Sequence, residues 1–90
     1  MKWKVELDKA AERELNKLDR QTAIRILDFL YRRVAKLDDP RSIGEALKES
    51  RFETLWRYRV GNYRIISSIE DIVLRILILR IGNRNDVYKR

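Results

Sequence analysis

The chain has 90 residues, enough for one domain and no more, because a chain of this size removes only roughly 60–65% of its unfolded surface from water. Hydrophobic residues make up 44% and charged residues 39%, which predicts a compact core beneath an ionic surface and argues against disorder. Cysteine and histidine are absent, excluding a disulfide scaffold, the common zinc sites and any chemistry built on imidazole or thiolate; the 21 Lys and Arg against 14 Asp and Glu leave a net charge of +7, suited to a polyanionic partner.

Trp3, Val5 and Leu7 alternate with Lys2, Lys4 and Glu6, the period-two pattern of a half-buried strand. The same alternation leaves no room for the apolar run of a signal peptide, and no stretch approaches the roughly 18–20 apolar residues of a transmembrane helix. The expected location is the cytoplasm, with no membrane partner. Asp8 is placed to cap a first helix whose apolar stripe is Ala10, Ala11, Leu15 and Leu18. Asp19 is a second cap candidate. From there Ile24, Leu27, Leu30, Tyr31, Val34 and Leu37 recur every three or four residues, predicting an amphipathic helix that ends before Asp38-Asp39-Pro40. The two helices are expected to form a hairpin.

Asp38 to Ser50 holds the only proline and reads as a connection, with a helical turn expected around Glu45 to Lys48. Two strands follow, with Trp56, Tyr58 and Val60 alternating with arginines, then Tyr63, Ile65, Ser67 and Ile69 after Gly61-Asn62. Glycine at the first central position predicts a type II′ turn for Val60-Gly61-Asn62-Tyr63. Ile72 to Ile81 is almost continuously apolar and reads as a strand covered on both faces. The predicted order is βααβββ, an α+β domain over residues 1–90 with the two-helix hairpin on one face of a small antiparallel sheet.

The tight turn fixes a register in which Val60 faces Tyr63, Arg59 faces Arg64 and Arg57 faces Ile66. Arg57, Arg59 and Arg64 then share the face opposite Trp56, Tyr58, Val60, Tyr63 and Ile65, whose bulk suits a surface covered by helices. Trp3, Trp56, Tyr58 and Tyr63 are accordingly expected in the core rather than stacked on bases. Arg75 has the parity of the arginine face, whereas Arg80 falls on the core face by simple alternation, a position that only a bulge or a strand end would relieve. Like charges opposed across strands cost a few tenths to roughly 1 kcal/mol, a conflict that an anionic ligand resolves. The competing reading is a solvated arginine row that serves solubility alone. Residues 51–90 contain eight of the arginines and one lysine, and arginine's planar fork grips phosphate with two parallel hydrogen bonds.

Trp56-Arg57-Tyr58-Arg59-Val60-Gly61-Asn62-Tyr63-Arg64-Ile65-Ile66 and Ile81-Gly82-Asn83-Arg84-Asn85-Asp86-Val87-Tyr88, together with the element order, resemble the RelE/ParE toxin superfamily, most closely its RelE branch. The resemblance spans nearly the whole chain in pattern. It implies the toxin of a toxin–antitoxin system, neutralised by a cognate acidic, RelB-like antitoxin. It further implies a ribosome-dependent mRNA endonuclease that works in the ribosomal A site without metal or cofactor, by attack of a ribose 2′-hydroxyl on the adjacent phosphate. Ribosomal RNA and mRNA would both be partners. Carried over by position, Arg64, Arg84 and Tyr88 are the implied catalytic residues, and Arg57 and Arg59 the phosphate-binding ones. The arginines would stabilise a phosphorane and Tyr88 would accept or orient the 2′-hydroxyl proton. Lysines stand at the two β-strand positions in the best-known members; here Arg57 and Arg59 stay charged and can stabilise but not act as bases. Asn83 stands where many relatives have histidine. The alternatives are a ParE-like inhibitor of DNA gyrase on the same fold, and a non-catalytic relative that binds RNA or antitoxin.

Overall fold

The computed structural model describes residues 2–47 and 55–83. Strand β1 (Lys4–Leu7) leads into helix α1 (Lys9–Asn16) and helix α2 (Arg20–Asp28), followed by β2 (Glu45–Leu47), β3 (Leu55–Val60), β4 (Tyr63–Glu70) and β5 (Arg75–Asn83). The strands form one sheet in the order β1-β5-β4-β3-β2. The α+β class and the order βααβββ expected from the sequence hold, with β2 as an additional short edge strand. The sheet is mixed rather than wholly antiparallel, because β1 joins β5 in parallel, pairing Val5 with Ile76 and Leu7 with Ile78. The intervening helices supply the crossover that a parallel pair needs.

Asp19 caps α2 as expected, its carboxylate accepting from the Thr22 N–H at 3.1 Å and from the Thr22 hydroxyl at 2.6 Å; the Thr22 bonds hold its carboxyl below the ordinary carboxylate range. Asp8 makes no side-chain cap. Its backbone N–H instead donates to the Ile78 carbonyl at 2.8 Å, so the residue serves the β1–β5 seam. Helix α2 runs on through a π-helical turn (Phe29–Arg33) and a 3-10 turn (Val34–Lys36), which matches the predicted end before Asp38. The buried residues of this helical stretch are Ile26, Leu30 and Val34, whereas Ile24, expected in the stripe, is exposed.

Those three residues pack with Ala11 and Leu15 of α1 against Val5, Tyr58, Ile65, Ile76, Ile78 and Ile81 of the sheet. Full burial of each large aliphatic contributes roughly 1.5–3 kcal/mol. Trp3, Trp56, Tyr58 and Tyr63 sit in or against this core as expected; Trp3 Nε1 donates to the Asp38 carbonyl, Trp56 Nε1 to the Ile43 carbonyl at 2.7 Å, and the Tyr58 hydroxyl to the Pro40 carbonyl at 2.6 Å.

Two stretches depart from the sequence expectation. Glu45–Leu47 is a strand paired to Arg57, Trp56 and Leu55, not a helical turn. The turn into it needs Gly44, at φ +81°, where a Cβ would fall 2.5 Å from the Arg57 carbonyl oxygen and 2.8 Å from Trp56 Nε1. Ile72, Val73 and Leu74 form the β4–β5 turn rather than the start of β5, and all three are exposed. Arg41 anchors that turn through two 2.9 Å hydrogen bonds to the Asp71 carboxylate, which hold its carboxyl low.

Candidate functional site

The hairpin register matches the sequence reading pair for pair: Val60 with Tyr63, Arg59 with Arg64, Arg57 with Ile66. Gly61 has φ +58°, and among the described residues Leu74 is the one non-glycine with positive φ, so Asn62 does not have it and the turn is of the II′ kind. This turn carries Arg57, Arg59 and Arg64 to the end of the sheet face away from the helices. The other end of that face is neutralised. Arg75, paired in register with Glu70, donates to Glu70 at 2.8 Å and to Glu6 at 2.9 Å. The guanidinium in turn lowers the Glu6 carboxyl.

The three arginines occupy different environments. Arg57 is half-buried and ion-paired with Glu45 of β2. Arg59 is exposed. Arg64 is only 8% exposed, yet among the described residues it has no carboxylate partner, and its hydrogen bond from Nη1 to the Tyr63 carbonyl is a weak 3.5 Å. Among the described residues no side-chain nitrogen is both sealed from solvent and unbonded, so the Arg64 guanidinium still opens onto the face, where an anion can reach it.

Arg80, which simple alternation put in the core, is explained by a β-bulge. Ile66 pairs with Arg80 and Ser67 with Ile78, so one residue of β5 is unmatched. The bulge turns the Arg80 guanidinium to Glu14 of α1, with bonds of 2.9–3.1 Å, and Glu14 also accepts from the Ile81 N–H at 2.9 Å. Arg80 is thereby a structural residue. Arg84 and Tyr88, the other expected catalytic residues, lie outside the described residues.

A cleft of about 410 Å³ opens beside the arginine face, lined by Phe29, Arg33, Gly44, Glu45, Arg57, Tyr58 and Arg59. Arg33 was not singled out from the sequence, where it is one more charge on a helix and no pattern marks it. Tyr58 in the cleft wall is no proton acceptor, because burial pushes its phenol well above the ordinary value and its hydroxyl donates to Pro40. No helix among the described residues is long and apolar enough to cross a membrane.

Fold and face together define a small basic α+β domain that gathers Arg57, Arg59 and Arg64 at one end of a sheet face. The sequence pattern of the ParE toxin of type II toxin–antitoxin systems, parDE, matches residues 5–88, and the chain belongs to that family, within the RelE/ParE superfamily. It is 28% identical over 90 residues to Toxin RelG of Mycobacterium tuberculosis, covering the whole of both chains. Among solved structures, it superposes on a chain of the RelBE2 toxin–antitoxin complex of M. tuberculosis with a TM-score of 0.81 at 24% identity, covering 96% of this chain and 95% of that one. The archaeal RelE–RelB complex of Pyrococcus horikoshii matches with a TM-score of 0.72 at 25% identity over 96% of this chain and 99% of the other. The isolated E. coli RelE toxin matches with a TM-score of 0.71 at 17% identity, over 96% and 90%. The protein is therefore a RelE-like toxin of a type II toxin–antitoxin system.

Proposed function

We propose that this toxin is a metal-independent endoribonuclease that cleaves mRNA in the ribosomal A site. The observation that carries the reading is Arg64: a largely buried arginine with no acidic partner among the described residues, opposite Arg59 and beside Arg57, on a face that an anion would complete. Scission forms a bond between the 2′-oxygen and phosphorus and breaks the bond from phosphorus to the 5′-oxygen, which leaves as a 5′-hydroxyl by taking a proton from solvent or the ribosome. The phosphorane between these states carries extra negative charge, and fixed guanidinium groups stabilise it as it develops. Arg64 and Arg84 take that role, with Arg57 and Arg59 binding the phosphate. The arginines remain protonated and accept nothing, so the 2′-hydroxyl proton falls to Tyr88, whose phenolate cationic neighbours would favour. The ribosome supplies the positioning of the strand that an open face lacks. A RelB-like acidic antitoxin silences the domain by covering the arginines or displacing the C-terminal segment, consistent with RelE toxins having been crystallised in complex with RelB.

The match to the ParE family description favours a second reading, in which the same face binds DNA gyrase and RNA is left intact. Primer extension on mRNA from cells expressing the toxin separates them. Cuts confined to translated regions support the nuclease; intact transcripts with arrested DNA replication support the gyrase inhibitor.

A further inference from the structure

The arginine face does not stop at the sheet. Strand β2 pairs β3 only as far as Arg57, so beyond that point the β3 edge at Tyr58 and Arg59 has no strand beside it among the described residues. The cleft occupies this notch and continues around the edge to α2. There, Arg25, Phe29 and Arg33 recur at intervals of four along one side of the helix. Phe29 packs edge-on against Tyr58, with ring centroids 5.9 Å apart, and so fixes this side of the helix against β3. Arg33 lines the cleft. Arg25 sits above the hairpin turn, where a Cβ on Gly61 would be 3.5 Å from its Nη2. Arg25, Arg33 and Arg59 are exposed and make no ion pair among the described residues, whereas the neighbouring Arg32 is tied to Asp28. Within the cleft, Glu45 is already committed to Arg57. Its unspent charge is therefore cationic, and it lies in a line continuous with Arg57 and Arg59.

We propose that this cleft, with Arg59 and Arg33 in its wall and Arg25 above the adjoining hairpin turn, is a second RNA subsite that grips the backbone phosphates of the strand as it leaves the arginine face. The proposal rests on RNA being the ligand of that face, not on strand scission. A row of unpaired guanidinium groups along one track matches a backbone that repeats its charge at every residue, and each fork can take two oxygens of one phosphate. The ribose–phosphate chemistry is shared by mRNA and ribosomal RNA, and the test distinguishes them.

The test is fluorescence-anisotropy titration of the full chain against a short 2′-O-methyl RNA, which cannot be cut, as a single strand and as a duplex, over a range of salt. Arg33→Gln should weaken binding roughly fivefold at moderate salt and reduce the slope of log affinity against log salt by about 0.7, the share of one phosphate contact on a single strand. Arg33→Lys should restore most of the slope. Arg25→Gln with Arg33→Gln should weaken binding further. The control is Arg13→Gln, an exposed arginine of α1, which removes the same charge from the β5 side of the sheet. An effect confined to the single strand assigns the subsite to mRNA, and one confined to the duplex assigns it to folded RNA. Losses for Arg33→Gln no greater than for Arg13→Gln on both RNAs overturn the proposal, as does weakened binding of an acidic peptide with RNA binding unchanged. Wild type that binds RNA through Arg33 but does not cut mRNA on programmed ribosomes would remove the nuclease reading and leave the subsite standing.

Discussion

Arg59 and Arg64 face each other across the β3–β4 hairpin, yet one arginine is exposed and the other is largely buried without a carboxylate partner among the described residues. The repulsion between them works against folding. Replacing Arg64 with an apolar side chain of similar length should therefore relieve the fold while disabling the site. Arg64→Met is expected to raise stability by a few tenths to about 1 kcal/mol and to lower single-turnover cleavage on programmed ribosomes by on the order of 10²-fold or more. Urea denaturation checks the first half. A clear loss of stability would mean that the guanidinium serves packing rather than an anion.

The bulge in β5 makes a separate prediction about Glu14. Its carboxylate holds the Arg80 fork and the Ile81 N–H together, and Ile81 is in the core. Glu14→Ala should cost about 1–3 kcal/mol, as for hydrogen bonds to charged groups. Arg80→Ala should cost less, because Glu14 keeps its bond to Ile81. The double variant should fall short of the sum of the two, and additive losses would show that the two residues act independently. RNA cleavage by the remaining folded protein should be unchanged in Arg80→Ala.

These two arginines also show what was legible in the sequence. Arg64 was placed correctly because one glycine sets the turn and the turn sets the register of everything near it. For Arg80 the sequence showed only a conflict with alternation that a bulge would resolve; the bulge itself leaves no mark on apolar periodicity, and the partner Glu14 is remote in sequence. For the same reason alternation could identify β1 as a strand but not reveal that it runs parallel to β5. Strand β2 was missed because Glu45–Leu47 is too short to show a period, and what holds it is the long-range bond from Trp56 to Ile43 and the close approach at Gly44. The apolar run from Ile72 to Leu74 signalled burial that the turn does not provide.

That turn carries a strained residue. Leu74 has φ +52° and is 44% exposed, so it bears the cost of a left-handed conformation, roughly 1–2 kcal/mol for a side chain with a Cβ, with limited burial in return. Leu74→Gly removes the strain and adds about 0.5–1 kcal/mol of unfolded-state entropy. The expected net gain is about 0.5–1 kcal/mol, with the hydrogen bond from the Lys4 N–H to the residue 74 carbonyl retained. Thermal denaturation of the single variant decides the point. A lower midpoint would mean that the leucine side chain makes contacts that outweigh the strain.

Tyr58 gives the fold a particular alkaline sensitivity. Burial raises its phenol above the ordinary 10.0, so above about pH 10 the unfolded chain loses this proton while the folded chain keeps it. Fewer protons bound in the unfolded state means that stability falls as pH rises. The contribution is complete below pH 10 and is lost as pH climbs from there toward the folded value. Tyr58→Phe should lower stability near neutrality through loss of the bond to Pro40, about 1 kcal/mol, but should show a shallower decline above pH 10. Equal slopes for the two proteins would contradict the assignment.

The division of labour at the proposed scissile phosphate is tested by Tyr88. If arginines stabilise the phosphorane and Tyr88 handles the 2′-hydroxyl proton, Tyr88→Phe deletes one oxygen and no charge, so folding and binding to programmed ribosomes should stay nearly intact. Single-turnover cleavage at saturating protein should nevertheless fall by on the order of 10²-fold, the usual scale for a positioned proton acceptor. Arg84→Ala should reduce cleavage by a similar order and also weaken RNA binding, because it removes charge from the phosphate as well as from the transition state. Arg57→Lys and Arg59→Lys should be mild, since the charge remains. The pH profile adds a readout that a structural role would not move. With an acceptor that must lose its own proton, wild-type cleavage should rise with pH below the phenol's pKa, and Tyr88→Phe should flatten that rise. An unchanged rate in Tyr88→Phe would withdraw the tyrosine's chemical role and leave the 2′-hydroxyl proton to a group of the ribosome or to solvent, with the arginine electrostatics still standing.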